Sequence, residues 1–568
     1  MSEAYCLPGI CGAYLSFQIT YFSAIFVALI TAVWLGALAF SSDYLKGEEN
    51  KGRYYRYFAL TYIAVVGIFF SADFFTTFIF FEIMSLASYV WVATRETDEA
   101  LRAGNVYLAI GIIGGMVMLM GVFILFAELK TLDFSEMYAA TEGVSKAKLY
   151  AAGGCLMFGF GAKAGAFPLH IWLPSSYKEA PSPLTALLSG VLSKAGLFGI
   201  IVCCSKIFWG DEKWSAFVLI IALFTMAIGG IGAMFSADMK VTVAYSSMSQ
   251  IGFILVGAAA MCFSSDAALE GVGLHMINHM LIKFLLFTLT GIVIMNVGSG
   301  DLNRVRGYGR KKLLLGVPFL IGGLAVSGVP FFSGYISKTL LHEALLGLPF
   351  GMFNKAAEYF FLMCGGMTLC YMTKIYVCVF IEENEDEALQ KAYDEGKLRG
   401  KLSAAVCILF AAVILGIGIV YPIVKQTVPY YSLEILKGSF ISIAFGIVFY
   451  AAFVRKILIR HGRYEKLSLR LPRLLKIYEF LIMDILLRAI GWVSEILDSV
   501  TDNAAGLLRA TVYKDSHQAA TLPLRKRIRK KLGDAAVENM TIIEKSIAYG
   551  FMMAGIGVIL TMLYIVLM

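Results

Sequence analysis

Apolar residues in this chain fall in long runs, separated by short polar segments. A transmembrane helix needs about 20 predominantly apolar residues, because each residue rises about 1.5 Å through a hydrocarbon core about 30 Å thick. Runs of that kind lie at 17–41, 55–72, 74–94, 105–128, 150–174, 183–208, 214–236, 240–262, 269–297, 313–349, 357–381, 402–423, 436–454 and 545–567. The pattern predicts an all-α polytopic membrane protein with about 14 transmembrane helices.

Composition supports this fold class. Of the 568 residues, 59% are hydrophobic and 15% are charged, and the mean hydropathy is +0.75. Soluble domains carry about 45–50% apolar and about 25% charged residues. The net charge of +8 is spread over loops between apolar runs, which argues against a nucleic-acid-binding face. The N-terminal segment MSEAYCLPGICGAYLSF has no basic leader and no small-residue cleavage site, so we expect no removable signal peptide.

Glycine and proline interrupt two of the runs near their middle. The first reads GFGAKAGAFPLHIWLP and contains Lys163, and the second reads VSGVPFFSGYISKTLL and contains Lys338. Proline removes a backbone donor and glycine loosens the helix, so both spans are predicted to be broken helices. Interrupted spans at corresponding places in two halves are typical of inverted-repeat transporters, although two unrelated kinks would give the same local sequences.

Ionisable residues inside the runs are the candidate functional groups. Inserting one carboxylate and four lysines in ionised form would cost roughly 12–17 kcal/mol on the translocon scale. Such residues usually face the interior of the bundle and mark an ion or proton path. The set consists of Glu82, Lys163, Lys194, His275, His279, Lys283 and Lys338.

The arrangement of this set favours proton transfer. Glu82 is the only acid in it, so we expect an ion pair with one lysine. His275, His279 and Lys283 recur every four residues and should form one stripe on a helix, where imidazoles can pass protons near physiological pH. The alternatives are satisfied core histidines and purely structural ion pairs.

Other chemistries lack their motifs. The chain has no phosphate-binding glycine loop, no zinc spacing and no nucleophile elbow, and its ten cysteines include no CxxC pair. Two histidines four residues apart supply half a metal site. We therefore expect no metal and no cofactor in this chain.

Basic residues predict the orientation. Loops 42–54, 301–312 and 382–401 and the segment beginning at Arg455 fall on one side of a 14-span protein, which should be cytoplasmic. Loop 129–149, with three lysines, lies on the other side and departs from the rule.

The segment 457–544 is not a simple loop. Between about 472 and 513 its charged residues recur mostly at three-, four- or seven-residue spacing among apolar ones, which predicts an amphipathic helix along the membrane surface. About forty residues would make this lateral helix about 60 Å long, enough to reach a neighbouring subunit. The basic tract LPLRKRIRKKLGD that follows suits anionic lipids.

Five segments resemble one known family, the antiporter-like membrane subunits of respiratory complex I, Mrp-type sodium/proton antiporters and energy-converting membrane hydrogenases. They are FIFFEIMSLASY, GAKAGAFPLHIWLPSSYKEAPSPLTALLSGVLSKAGLFG, MKVTVAYSSMSQIGF, LHMINHMLIKFLLF and VPFFSGYISK. The surface helix followed by a last span is similar to the distal, lateral-helix-bearing subunit of complex I.

The resemblance implies roles for single residues. Glu82 matches the family's channel glutamate and Lys163 its broken-helix partner. Lys194 matches the central relay lysine, His279 and Lys283 match the second-half relay, and Lys338 matches the terminal site. The glutamate-bearing span is the third here but usually the fifth, so the family's first two helices should be missing. An additional acid that distal subunits can carry in the following helix is not evident here, where Gly115 lies near that place.

These observations predict a domain order. It comprises N-terminal spans (1–72), a first antiporter half (73–235), a second half (236–381), peripheral spans (382–456), the lateral helix with its basic linker (457–544) and a terminal span (545–568).

The sequence interpretation is a proton- or sodium-translocating subunit of a redox-driven pump in the cell's inner membrane. Partner subunits would be other antiporter-like and small membrane subunits and a peripheral redox arm holding iron–sulfur clusters or other redox centres. One alternative is a Mrp-type secondary antiporter without redox chemistry, and another is a non-pumping scaffold subunit.

Overall fold

The computed structural model describes residues 5–7, 14–47, 51–263, 266–425, 429–459 and 464. Within these ranges nearly all regular structure is helical. Two short strands, β1 (Tyr5–Leu7) and β2 (Leu15–Phe17), pair antiparallel before the first helix, with Tyr5 opposite Phe17.

The first half of the chain contains eleven of the described helices. They are α1 (Tyr21–Tyr44), α2 (Lys51–Phe70), α3 (Phe74–Ala93), α4 (Asp98–Leu129), α5 (Met137–Ala140), α6 (Lys146–Ala164), α7 (Trp172–Glu179), α8 (Ser182–Leu187), α9 (Ser193–Val202), α10 (Glu212–Phe235) and α11 (Met239–Ala260). A π-helical turn, Leu188–Leu192, joins α8 to α9, so that these helices form one continuous span.

The second half continues with eight further helices in the described part of the chain. They are α12 (Asp266–Val297), α13 (Leu302–Val305), α14 (Leu313–Ser327), α15 (Ser333–Leu346), α16 (Met352–Tyr376), α17 (Glu387–Glu395), α18 (Lys401–Val424) and α19 (Leu433–Val448). Helices α16 and α19 are extended by π-helical segments, Val377–Ile381 and Phe449–Leu458.

The predicted all-α membrane fold is confirmed. By length and composition, ten described helices could cross a membrane. The predicted run 55–72 forms α2, and the runs 150–174 and 313–349 each form two shorter helices in succession, α6–α7 and α14–α15. The lateral helix at about 472–513 and the predicted span 545–567 lie outside the described residues.

Basic loops meet at one end of the bundle, here called the basic end. Arg306 Nε lies 3.0 Å from Glu382 Oε2, and Asp43 Oδ2 accepts bonds from the Ser403 backbone and hydroxyl. Tyr464 donates its backbone N–H to Asn303 Oδ1. These contacts place the four predicted basic segments on the same side.

Both interrupted spans break through the same local geometry. Helix α6 ends at Gly165 (φ +79°) and α14 ends at Gly328 (φ +78°), each in the left-handed region that glycine adopts readily. The residue after each glycine donates its N–H to a carbonyl five residues earlier, as in a Schellman motif. These bonds join Ala166 to Gly161 at 3.0 Å and Val329 to Leu324 at 3.2 Å.

The two interrupted spans run in opposite directions through the bundle. Helix α14 starts beside the basic end, where Arg310 contacts Glu383, whereas α6 starts at the other end, where Lys148 Nζ lies 2.7 Å from Glu128 on α4. The same motif in antiparallel spans supports an inverted repeat over two unrelated kinks.

Among the described spans, the three most buried include the two that carry Lys194, His275, His279 and Lys283; the third, Met239–Phe263, carries Lys240 at its start. In an apolar 18-residue stretch of each span, the share of residues that are buried is 89% for Ser182–Ile207, 94% for Met239–Phe263 and 78% for Asp266–Val297, against 6% for Leu433–Lys456. The burial of the spans that carry Lys194 and Lys283 agrees with the need to keep ionisable side chains from lipid.

We expect Gly165→Ala to lower the thermal stability of the purified protein. A left-handed L-residue costs about 1–2 kcal/mol, and a β-carbon here would lie 2.5 Å from Leu173 Cδ1. Gly154→Ala is the matched control, because Gly154 belongs to α6 and a β-carbon there meets nothing within 4 Å. Equal melting temperatures for the two variants would contradict the assignment of Gly165 as the conformational break.

Candidate functional site

The structure gathers most of the predicted site residues in the interior. Lys163, Lys194, His275, His279, Lys283 and Lys338 are 0–7% exposed. Glu82, on α3, is half-buried. The residues lie on α3, α6, α9, α12 and α15, so the site is a path between helices rather than one pocket.

The Glu82 carboxylate packs against the backbone of α4. A β-carbon added at Gly115 would contact both carboxylate oxygens. Glu82 Oε1 is buried and has no hydrogen-bond partner among the described residues. Gly115 is thus the position that makes room for this carboxylate.

Lys163 lies in the last turn of α6, where the negative end of the helix dipole favours a cation. Its Nζ donates to the Tyr107 hydroxyl at 2.6 Å and lies 3.4 Å from Ser88 Oγ. The ammonium is also 4.6 Å from the Tyr107 ring centroid, and the two hydroxyls are 2.5 Å apart. Tyr107 and Ser88 therefore solvate this buried amine.

The described residues form no direct ion pair between Glu82 and Lys163, and the predicted pairing through one water stays a prediction. The Tyr107 hydroxyl takes the position beside the ammonium, while the carboxylate turns toward Gly115. Opposite charges can be recognised in a sequence, whereas the hydroxyl-bearing neighbours of Lys163, Tyr107 and Ser88, are identified only once the helices are packed. A phenol is the nearer partner of this lysine.

Lys194 and His279 form the closest contact between two ionisable groups of the path. Lys194 Nζ lies 2.5 Å from His279 Nδ1 and donates to the Ser189 carbonyl at 2.7 Å. Ser189 belongs to the π-helical turn Leu188–Leu192, and π turns are frequent at functional sites. One amine and one imidazole can therefore share a proton at the centre of the bundle.

The histidine stripe on α12 contacts three different helices. The His275 and His279 ring centroids are 6.5 Å apart, and His275 Nδ1 lies 2.8 Å from Ser337 Oγ on α15. Lys283 Nζ donates to Ser246 Oγ on α11 at 2.6 Å, and that oxygen also accepts the Tyr371 hydroxyl. The predicted four-residue stripe is present and points into the interior.

Lys338 ends the path at the second break. Its Nζ lies 4.3 Å from the Phe253 ring centroid and has no hydrogen-bond partner among the described residues. A β-carbon at Gly328 would lie 2.9 Å from Lys338 Cδ, so the aliphatic stem packs on the break. This ammonium is held by an aromatic face rather than by a counter-ion.

The two parts of the path are joined less directly. Among the described residues no hydrogen bond links Lys163 to Lys194, but α9 packs on α6 at this level. A β-carbon at Gly196 would contact the Phe160 carbonyl and the Ala164 amide. From Lys194 onward, ring and hydroxyl contacts continue through His279 and His275 toward Lys338.

Two further buried lysines escaped the sequence reasoning. Lys374 donates to the carbonyls of Ala233, Met234 and Ser236 at the end of α10. Lys240 donates to the carbonyls of Lys178 and Ala180 at the end of α7. Both cap helix C-termini. The position of Lys374 inside the apolar run 357–381 could have identified it as a buried lysine.

The chain matches proteins of a known family. Residues 71–370 match the family model described as NADH:quinone oxidoreductase/Mrp antiporter, TM. The chain is 28% identical over 379 residues to a Na(+)/H(+) antiporter subunit of Alkalihalophilus pseudofirmus, covering 66% of this chain and 76% of the relative. It is also 28% identical over 394 residues to the corresponding antiporter subunit of Bacillus subtilis, covering 69% and 78%.

Two solved structures share the fold. A chain of the Mrp complex from Dietzia sp. DQ12-45-1b superposes with a TM-score of 0.64 at 23% identity, over 80% of this chain and 87% of that one. A chain of the membrane-bound sulfane sulfur reductase, an archaeal respiratory membrane complex, gives 0.66 at 24% identity, over 78% and 86%. With more than half of its length matched by the family model, the chain belongs to the NADH:quinone oxidoreductase/Mrp antiporter membrane family.

Proposed function

We propose that this chain is the proton- or sodium-translocating subunit of a multi-subunit membrane complex, and that redox chemistry in partner subunits drives it. The observation that best supports translocation is the contact between Lys194 and His279 at 2.5 Å. This contact lies within a line of buried basic side chains. Folding alone does not require such an arrangement, whose insertion is costly.

The path would work by moving protons between fixed bases. Two adjacent cations repel strongly in a low-dielectric interior, so a proton that arrives at Lys194 favours the departure of one from His279 or Lys283. Lys163 would deliver charge from the first half, with Tyr107 and Ser88 solvating it and Glu82 as the balancing acid. Lys338 would receive it beside the second break.

The redox drive is supported by the chain's architecture as inferred from sequence. The predicted lateral helix at about 472–513 is the feature that the resemblance associates with the distal subunit of complex I. The similar fold of a chain in the sulfane sulfur reductase, an archaeal respiratory membrane complex, agrees with this proposal. Iron–sulfur or other redox centres would then lie in partner subunits, and the basic end would face the cytoplasm across the inner membrane.

A Mrp-type secondary antiporter is the second candidate. The relatives at 28% identity are named as Na(+)/H(+) antiporter subunits, which favours a complex of membrane subunits without redox centres. In that case the same path would exchange protons for another cation.

Purification of the intact complex through a tag on this chain separates the two candidates. We expect co-purifying subunits with iron–sulfur signals in electron paramagnetic resonance, and cation transport that depends on an electron donor. A complex of membrane subunits alone, which exchanges cations in response to a pH gradient, would instead establish the antiporter.

We expect Lys194→Met to reduce transport by the intact complex at least 10-fold in membrane vesicles, because the central base is lost. Assembly should persist, since methionine has a similar length and is compatible with an apolar span. Lys206→Met is the matched control, because Lys206 is an exposed lysine at the end of the same span. Full transport by Lys194→Met would favour the scaffold alternative.

Tyr107→Phe should slow transport about 10-fold, because a hydrogen bond to a charged group contributes roughly 1.5–3 kcal/mol. The ring contact with Lys163 would remain, so the change isolates the hydroxyl. Tyr138→Phe, at an exposed tyrosine of α5, should transport like the parent. An unchanged rate for Tyr107→Phe would remove the phenol from the path.

A further inference from the structure

Polar groups continue beyond Lys338 toward the end of the bundle opposite the basic end. His342 follows Lys338 by four residues on α15, so both side chains lie on one face, about 6 Å apart along the axis. His342 Nε2 lies 3.3 Å from Glu358 Oε1 on α16. The side chains of this pair are 21% and 29% exposed, whereas Lys338 is 7% exposed.

A small polar cavity links the two levels. Its volume is about 40 Å³, and Lys338 and His342 both line it. Ser327, Thr339 and Ser442 also line this space. A water needs about 10–15 Å³ of such volume and two to four polar partners, so the cavity can hold two or three waters.

The surroundings of His342 come from three helices. The Phe361 ring of α16 lies 5.6 Å from the imidazole, and Gly438 of α19 leaves space for its Cε1 edge. The charged groups facing it are Glu358 from α16 and Glu343 from its own helix. The imidazole therefore has a carboxylate on one side and the cavity on the other.

We infer that the His342–Glu358 pair is the proton station between Lys338 and the membrane surface opposite the basic end. This inference rests on the proposed function and specifies the ion at this end as a proton. The Lys338 ammonium releases H⁺ through cavity water to the His342 imidazole, leaving a neutral amine. The imidazolium then releases H⁺ to Glu358 or to bulk water, and no other bond changes.

The ligand set favours a proton over a sodium ion. Alkali and alkaline-earth cations prefer several oxygen ligands, as in carboxylate and carbonyl cages. Hydroxyl-bearing residues line this cavity too, but its ionisable groups are an ammonium, which repels a metal cation, and an imidazole, which binds alkali cations weakly. Both groups exchange protons readily with water.

The test uses the intact complex in sealed vesicles. We expect His342→Gln to reduce proton release on the side opposite the basic end at least 10-fold, and imidazole added on that side to restore part of the rate. Glu358→Gln should give a smaller loss. Glu142→Gln, at an exposed acid between α5 and α6 on the same side of the bundle, is the matched control and should leave transport unchanged.

Each outcome bears on this inference separately from the proposed function. Normal transport by His342→Gln, in a complex where Lys194→Met is inactive, would overturn the inference and leave the proposed function intact. A loss that follows reduced assembly and is not rescued by imidazole would show a structural ion pair and also overturn it. A parent complex that moves no ion at all would remove the proposed function itself.

Discussion

The packing of the interior of this bundle depends on the need to solvate buried amines away from bulk water. An ammonium inside a membrane is tolerated only where protein groups replace its hydration shell. The structure supplies carbonyls and hydroxyls at Lys194 and Lys283, a phenol and a helix end at Lys163, and an aromatic face at Lys338. Among the described spans, the three most buried ones carry Lys194, Lys283 and the groups that solvate them.

The buried lysines form two classes with different partners. Lys374 and Lys240 bind backbone carbonyls at helix ends, which hold a positive charge in one place. Lys194 instead faces an imidazole, and Lys338 lines a cavity large enough to hold water. The partner atom, rather than burial, distinguishes a structural lysine from one suited to transport.

The sequence predicted the helical membrane fold, the two breaks and the basic end, because runs of apolar residues, glycines and loop charges are local signals. It also located the interior ionisable residues. It could not predict that Tyr107 rather than Glu82 contacts Lys163, because the pairing depends on which side chains of three helices come nearest. Lys374 was overlooked inside an apolar run, and its role is visible only once α10 ends beside it.

The π-helical turn Leu188–Leu192 determines the directions in which the later side chains of its span point. An α-helix advances about 100° per residue, so one extra residue in a turn rotates the remainder of the helix by that amount relative to the preceding part. Lys194 lies just after the turn and donates to Ser189, five residues earlier. Conversion of this turn to regular α-helix, with every residue kept, would swing the amine about a quarter of a revolution away from His279, whereas deletion of one residue together with the bulge would leave the direction of the amine unchanged. The direction of this amine therefore depends on the hydrogen-bonding pattern of one helical turn as well as on the presence of the lysine.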